Sequence, residues 1–144
     1  MTISDDPAKY ISSSPEETMA IGRKIAAMPA KRIGLIGDLG AGKTVFSKGY
    51  FSFFGIPEDQ INSPSFVIVN TYTLKKEEYF HIDLYRYPVF NDDFGFWEIL
   101  HSGRPVLIEW ADRLKDDIKE LELIVSLEGA GDKRSISLLK YSDS

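Results

Sequence analysis

Eight consecutive residues, Gly37-Asp38-Leu39-Gly40-Ala41-Gly42-Lys43-Thr44, constrain this chain more than any other feature. Three glycines in six positions suit neither a strand nor a helix. They allow backbone conformations closed to other residues, so a loop can wrap with successive N–H groups turned inward. The apolar run Arg32-Ile33-Gly34-Leu35-Ile36 comes immediately before, and a helical pattern runs from 43 to 54 until Gly55 and Pro57 stop it. Strand, glycine loop and helix in that order bring a positive helix end to a ring of N–H donors, a receptor for phosphate. The spacing fits G-x-x-x-x-G-K-[ST] in full, and a chance match in a chain of this length has odds of about 0.5%. We therefore read 37–44, with Val45 following, as the binding loop of a nucleoside triphosphate. Lys43 is expected to reach the β- and γ-phosphates, and the Thr44 hydroxyl to be a Mg²⁺ ligand. The absence of an Asn-Lys-x-Asp box favours ATP over GTP.

The remaining pattern predicts the fold around that loop. Ser14-Pro15-Glu16-Glu17 is a helix start, with Ser14 as cap and Glu17 at the capping-box position. Met19, Ile21, Ile25, Ala26 and Met28 follow before Pro29. Phe46, Tyr50, Phe53 and Phe54 share helical spacing and read as core. Strands are predicted at 66–73 and 78–85, joined by a LKKEE turn as an antiparallel hairpin. A short helix follows near 93–100. Val106-Leu107-Ile108 reads as a central parallel strand covered on both faces, and 121–127 and 134–140 as two more strands joined by GAGDK. The expected class is α/β, a P-loop NTPase-type sandwich with a mixed, mainly parallel sheet plus antiparallel hairpins. One domain over 1–144 is expected, with 1–12 loosely ordered.

Composition excludes several alternatives. No cysteine is present, which removes disulfides, thiolate metal sites and a cysteine nucleophile, and two histidines make a histidine-rich zinc site improbable. A net charge of −5 without a basic stripe argues against tight direct binding of RNA or DNA. No apolar run approaches the ~20 residues of a membrane helix, and the N-terminus is acidic where a secretory signal would be basic. A cytoplasmic protein is expected.

A P-loop enzyme needs a carboxylate for Mg²⁺ and a group to orient or deprotonate the nucleophile. Glu109 ends the 106–108 strand, at the carboxyl end where a crevice forms beside the loop. Asp83 lies in His81-Ile82-Asp83-Leu84-Tyr85-Arg86, where alternation puts His81, Asp83 and Tyr85 on one face. That polar row reads equally as solvated surface or as the wall of a site. Ser63-Pro64-Ser65-Phe66 lies where switch proteins place a γ-phosphate-sensing loop, although alone it signals only a turn. Arg86 and Arg104 are candidates for stabilising transition-state charge, or ordinary surface arginines.

Taken together, SPEETMAIG at 14–22, GDLGAGKT at 37–44, SPSF at 63–66, HIDLYR at 81–86 and VLIEWADRL at 106–114 resemble one family. It is the bacterial TsaE (YjeE) ATPases of tRNA threonylcarbamoyladenosine synthesis, matched in order and spacing from about residue 14 to 139. The resemblance implies that Lys43 and Thr44 bind phosphate and Mg²⁺, that Glu109 completes the metal site, and that Asp83 matters for hydrolysis by acting on metal or water. It makes 63–66 a switch loop and puts Thr18 and Trp110 near the base or the rim. It further implies a partnership with the TsaD–TsaB threonylcarbamoyl transferase and only indirect involvement with tRNA. Ser65 departs from the family's usual Thr, and DDFGFWEIL at 92–100 is a looser match. The competing readings are a small-molecule P-loop kinase, for which no arginine-rich lid is evident, and a nucleotide-dependent interaction module with little turnover.

Overall fold

The computed structural model of the chain describes residues 2–3, 9–37, 42–64, 68–86, 95–129 and 133–142. Two short strands come first, β1 (Thr2–Ile3) and β2 (Lys9–Ser12). Both pair antiparallel with the chain's last strand, β2 along 134–137 and β1 at 141–142. Within the 1–12 segment expected to be loosely ordered, residues 1 and 4–8 lie outside the described residues. Ladder hydrogen bonds to a long neighbouring strand hold short segments that carry little hydrophobic signal of their own.

Helix α1 (Pro15–Ala26) begins as its sequence dictates. The Ser14 side chain accepts from the Glu17 N–H at 3.1 Å, and Glu17 Oε1 accepts from the Ser13 N–H at 3.0 Å. Glu16 and Glu17 lie at its positive end and Arg23 and Lys24 at its negative end, each complementing the helix dipole. The helix closes on Ala27, two residues short of Pro29.

Strand β3 (Arg32–Ile36) leads to helix α2 (Lys43–Ser52), and a single 3₁₀ turn at Glu58–Gln60 follows. Within α2, Phe46 and Tyr50 are buried as expected. Phe53, however, caps the helix and is 48% exposed, and Phe51 fills the core instead. Strands β4 (Val69–Leu74) and β5 (Glu77–Asp83) form the expected hairpin, with Leu74 opposite Glu77. Its two loop residues, Lys75 and Lys76, both take positive φ (53° and 70°), the turn whose twist matches the flanking strands. Helix α3 (Phe96–Leu100) covers the described part of the predicted 93–100 helix. Strand β6 (Val106–Glu109) is buried along its length. The segment Ala111–Glu120 is 3₁₀ helix broken at Lys115, an element the sequence reading did not anticipate. Strands β7 (Leu123–Glu128) and β8 (Arg134–Ser142) complete the chain.

The sheet order is β8-β7-β3-β6-β5-β4, with β1 and β2 on the outer edge of β8. Strands β7, β3, β6 and β5 run parallel, while the flanking pairs β7–β8 and β4–β5 are antiparallel. This is the mixed, mainly parallel α/β sheet that the pattern predicts. Parallel strands need cover on both faces, and each face has its own core. Ile33, Leu35, Leu107, Leu123 and Val125 pack with Ile25, Phe46, Tyr50 and Phe51 of the two long helices. Val106, Ile108, Ile82 and Ile124 pack on the other face with Phe96, Leu100, Ala111 and Leu114.

Helices α1 and α2 meet backbone to backbone. A Cβ on Gly49 would lie 2.1 Å from the Met19 carbonyl oxygen, and one on Gly22 would lie 2.5 Å from that of Phe46. Gly49→Ala must therefore push the helices apart, an overpacking cost of about 1–3 kcal/mol that outweighs the ~1 kcal/mol of helix propensity gained. Urea unfolding is expected to show a lower midpoint for Gly49→Ala at unchanged slope. An unchanged midpoint would contradict this packing.

Candidate functional site

The parallel register lines up three strand ends. Leu35 of β3 is opposite Glu109 of β6, and Glu109 is opposite Asp83 of β5. Just past Leu35, β3 runs into the glycine loop, so loop, Glu109 and Asp83 share the carboxyl edge of the sheet, where open α/β sheets form a crevice. Asp38, Leu39, Gly40 and Ala41 of the loop, and Ser65 and Phe66 of the candidate switch segment, lie outside the described residues.

The start of α2 breaks the rules that α1 obeys. Its cap is Gly42 at φ 95°, with no side-chain hydrogen bond, and no acidic residue occupies its first turn. Its first residue is instead a lysine, placed against the positive end of the helix dipole. Lys43 is 6% exposed; its Nζ donates to the Gly37 carbonyl at 2.5 Å and lies 3.5 Å from the centre of the Trp110 ring. Thr44 is exposed and Val45 half-buried. A Cβ on Gly42 would meet Arg134 Nε at 3.2 Å, so a guanidinium from β8 lies against the end of the loop.

Trp110 takes the left-handed conformation (φ 60°), uncommon for a bulky side chain and a reservoir of strain. The turn directs its ring back over Lys43 and against Tyr85, with ring centres 4.9 Å apart. Trp110 therefore contacts the loop's own lysine.

Asp83 is 2% exposed. Its Oδ2 accepts from Ser63 Oγ at 3.0 Å, and its Oδ1 from the Tyr85 N–H at 2.8 Å. Ser63, from the candidate switch segment, is therefore in direct contact with the carboxylate. Of the polar row, His81 and Asp83 are buried and so are not solvated surface, while Tyr85 reaches solvent.

Glu109 is 2% exposed and faces α2: its Oε2 accepts from His81 Nε2 at 2.5 Å and from Ser47 Oγ at 3.5 Å. His81 is wholly buried and its Nδ1 is hydrogen bonded to the Tyr72 hydroxyl at 3.1 Å. Burial, chiefly, raises the Tyr72 hydroxyl above its ordinary pKa, with the Glu109 charge adding to it, so this group stays a phenol at neutral pH. Sequence reasoning placed His81 in the polar row with Asp83 and weighed it as a zinc ligand, but passed over Tyr72 and Ser47. The signal for Ser47 was available, because it follows Lys43 by one helical turn and so shares its face.

Other expectations are redistributed. Arg104 precedes β6 at the opposite end of the sheet, donating to the Glu78 carbonyl (2.9 Å) and pairing with Glu77 (3.0 Å). At about 3.3 Å per residue it lies about 16 Å along the strand from Glu109, which corrects its candidacy as a transition-state arginine. Arg86 is exposed in the turn after β5, on the site's side. Thr18 is 3% exposed and its hydroxyl bonds Ser12 Oγ at 2.7 Å. Ser12 is paired with Arg134 between β2 and β8, so Thr18 lies one hydrogen bond away from the strand position whose arginine meets Gly42.

The family profile "Threonylcarbamoyl adenosine biosynthesis protein TsaE" matches residues 12–136. The tRNA threonylcarbamoyladenosine biosynthesis protein TsaE of Bacillus subtilis (strain 168) is 36% identical over 126 residues, covering 86% of this chain and 79% of that protein. Its namesake from Aquifex aeolicus is 36% identical over 121 residues, covering 81% and 87%. The crystal structure of Bacillus subtilis YdiB superposes with a TM-score of 0.74 at 31% identity, covering 99% of this chain and 89% of that one. With a profile match over most of its length and relatives above 30% identity, the chain belongs to the TsaE family.

Proposed function

We propose that this chain binds ATP with Mg²⁺ at the 37–44 loop and hydrolyses it to ADP and phosphate, in support of tRNA threonylcarbamoyladenosine synthesis. The observation that carries the reading is the alignment of the glycine loop with Glu109 and Asp83 on adjacent parallel strand ends. The pathway is the one its relatives are named for, and the protein partner proposed is the TsaD–TsaB threonylcarbamoyl transferase. The tRNA is involved only through that partner. Among the described residues no helix is long and apolar enough to cross a membrane.

The donor set fits Mg²⁺. A hydroxyl (Thr44) and two carboxylates (Asp83 and Glu109) offer hard oxygens, and no cluster of three or more His, Cys, Asp or Glu among the described residues could hold a softer metal. Mg²⁺ takes few protein ligands and completes its shell with water and phosphate. When bound, it would neutralise charge on the phosphates.

Each residue's part follows from its place. The loop's N–H groups and the α2 dipole would hold the phosphates. Lys43 would exchange the Gly37 carbonyl and the Trp110 face for β- and γ-phosphate oxygens. In hydrolysis a water oxygen bonds the γ-phosphorus as the bond to the β–γ bridging oxygen breaks, and ADP leaves. Asp83 would act on the metal or on that water. Its Oδ2 accepts from Ser63 and its Oδ1 from the Tyr85 N–H, and an ionised carboxylate offers about four acceptor positions. Ser63, bonded to Asp83, would pass loop position to the carboxylate. Thr18 and Trp110 would border the base or the rim.

With Mg²⁺-ATP, slow release of phosphate is expected from the chain alone and faster release with TsaD–TsaB. Lys43→Ala should weaken nucleotide binding at least tenfold. Asp83→Asn should keep nucleotide affinity within about threefold and lower hydrolysis by about 10²–10⁴-fold. Unimpaired hydrolysis in Asp83→Asn with the partner present would remove Asp83 from the reaction. If that variant still supports repeated threonylcarbamoyl transfer, the chain is an interaction module instead. In a Trp97→Phe background, where Trp110 is the remaining indole, adding Mg²⁺-ATP should change tryptophan emission as Lys43 leaves the ring. Nucleotide binding without a change in emission would contradict the exchange.

A further inference from the structure

We propose that His81 is a positioning residue for Glu109 and that, through Tyr72, it ties Glu109 to the loop segment that grips Asp83. The inference rests on the reading of Glu109 and Asp83 as the carboxylates of a Mg²⁺-nucleotide site.

The geometry is a continuous path of hydrogen bonds, buried at Glu109, His81, Tyr72 and Asp83 and passing through exposed Asn62 and half-buried Ser63. His81 Nε2 donates to Glu109 Oε2 at 2.5 Å, and His81 Nδ1 is bonded to the Tyr72 hydroxyl at 3.1 Å. That hydroxyl meets the backbone of Asn62 twice, with the N–H at 3.4 Å and the carbonyl at 3.3 Å. Asn70 Nδ2 donates to the same carbonyl at 3.0 Å. The next residue, Ser63, donates to Asp83 Oδ2 at 3.0 Å. Asp83 and Glu109 are themselves register partners on β5 and β6, so the path leaves one carboxylate and returns to its neighbour.

Packing fixes the middle of this path. The Phe51 ring lies 5.1 Å from the imidazole and 5.0 Å from the Tyr72 ring, and His81 is wholly buried. An imidazole with both nitrogens bonded and an aromatic neighbour has one orientation, so it can hold a carboxylate in one orientation. Both bonds to Glu109 fall on Oε2, and no described residue donates to Oε1. His81 therefore selects which oxygen of Glu109 is turned to the site. Outer partners of this kind typically change metal affinity 10–100-fold when removed. A buried histidine kept only for packing has no need of a carboxylate on one side and a loop-bound hydroxyl on the other.

The test measures binding and needs no turnover. Affinity for a slowly hydrolysed ATP analogue is determined without Mg²⁺, and the Mg²⁺ half-saturation at saturating analogue is then determined for the wild type, His81→Leu, His81→Gln and Tyr72→Phe. Metal-free affinity is expected to stay within about twofold throughout. Mg²⁺ half-saturation should rise about 10–100-fold in His81→Leu and a smaller amount in Tyr72→Phe. It should return to within about threefold of wild type in His81→Gln, whose amide N–H can reach the same oxygen. Should His81→Leu not fold, Tyr72→Phe keeps the ring and its packing and still cuts the path. Unchanged Mg²⁺ dependence in both His81→Leu and Tyr72→Phe, or a His81→Gln as impaired as His81→Leu, overturns the inference alone. A wild-type chain that binds the analogue with no Mg²⁺ dependence overturns the metal-site reading and this inference with it.

Discussion

The parallel pairing of β3 with β6 and β7 is the constraint on which the rest depends. Parallel strands cannot be joined by tight turns, so each must be followed by a segment that crosses a face of the sheet. Both faces are thereby covered, and the central strands become almost wholly apolar, as in Val106-Leu107-Ile108. The same pairing aligns the carboxyl ends of β3, β6 and β5. The end of the glycine loop's strand, Glu109 and Asp83 are found together at that carboxyl edge. Strand order thus fixes the site before any side chain is considered.

Polar groups inside the helical face need compensation. His81, Asp83, Glu109 and Ser47 lie on the face that carries Leu35, Leu107 and Phe46. A buried carboxylate without partners would cost several kcal/mol, and each is met by donors from a different element: Ser63 and the Tyr85 N–H for Asp83, and His81 and Ser47 for Glu109. Apolar residues at these positions would pack at least as well, so stability alone does not account for the cluster. Its members bind β5, β6, α2 and the loop at 62–63 together through directional bonds.

Where local chemistry decides the outcome, the sequence was legible. Ser14 and Glu17 specify the α1 start, Leu74 to Glu77 the hairpin, and 106–108 the central strand, because capping, turn and burial signals each act within a few residues. The P-loop spacing likewise put Lys43 and Thr44 at the start of α2. What escaped depends on tertiary neighbours. β2 exists because β8 offers it a ladder. Phe53 is exposed and Phe51 buried, and the helix ends at Ser52, two residues before its pattern implied. Arg104 is the exception, since its place before the 106–108 strand already set it at the end away from Glu109. His81 looked like one polar residue in an alternating strand, and its role became visible only when β6 brought Glu109 and β4 brought Tyr72 to either side of it.

The two long helices show how a functional element can be told from a structural one by what it lacks. Helix α1 has a serine cap, acidic residues at its positive end and basic ones at its negative end, and it gains from each. Helix α2 has none of these, and a lysine sits where the dipole disfavours it, typically by 0.3–1 kcal/mol. The contacts of Lys43 with the Gly37 carbonyl and the Trp110 ring offset that cost, the ring alone contributing about 0.5–2 kcal/mol. Trp110 reaches Lys43 only by adopting a left-handed backbone, which has its own cost. The start of α2 is therefore held by interactions that partly oppose one another. A polyanion at the loop would satisfy the helix end and the lysine together, which is the chemistry proposed for this loop.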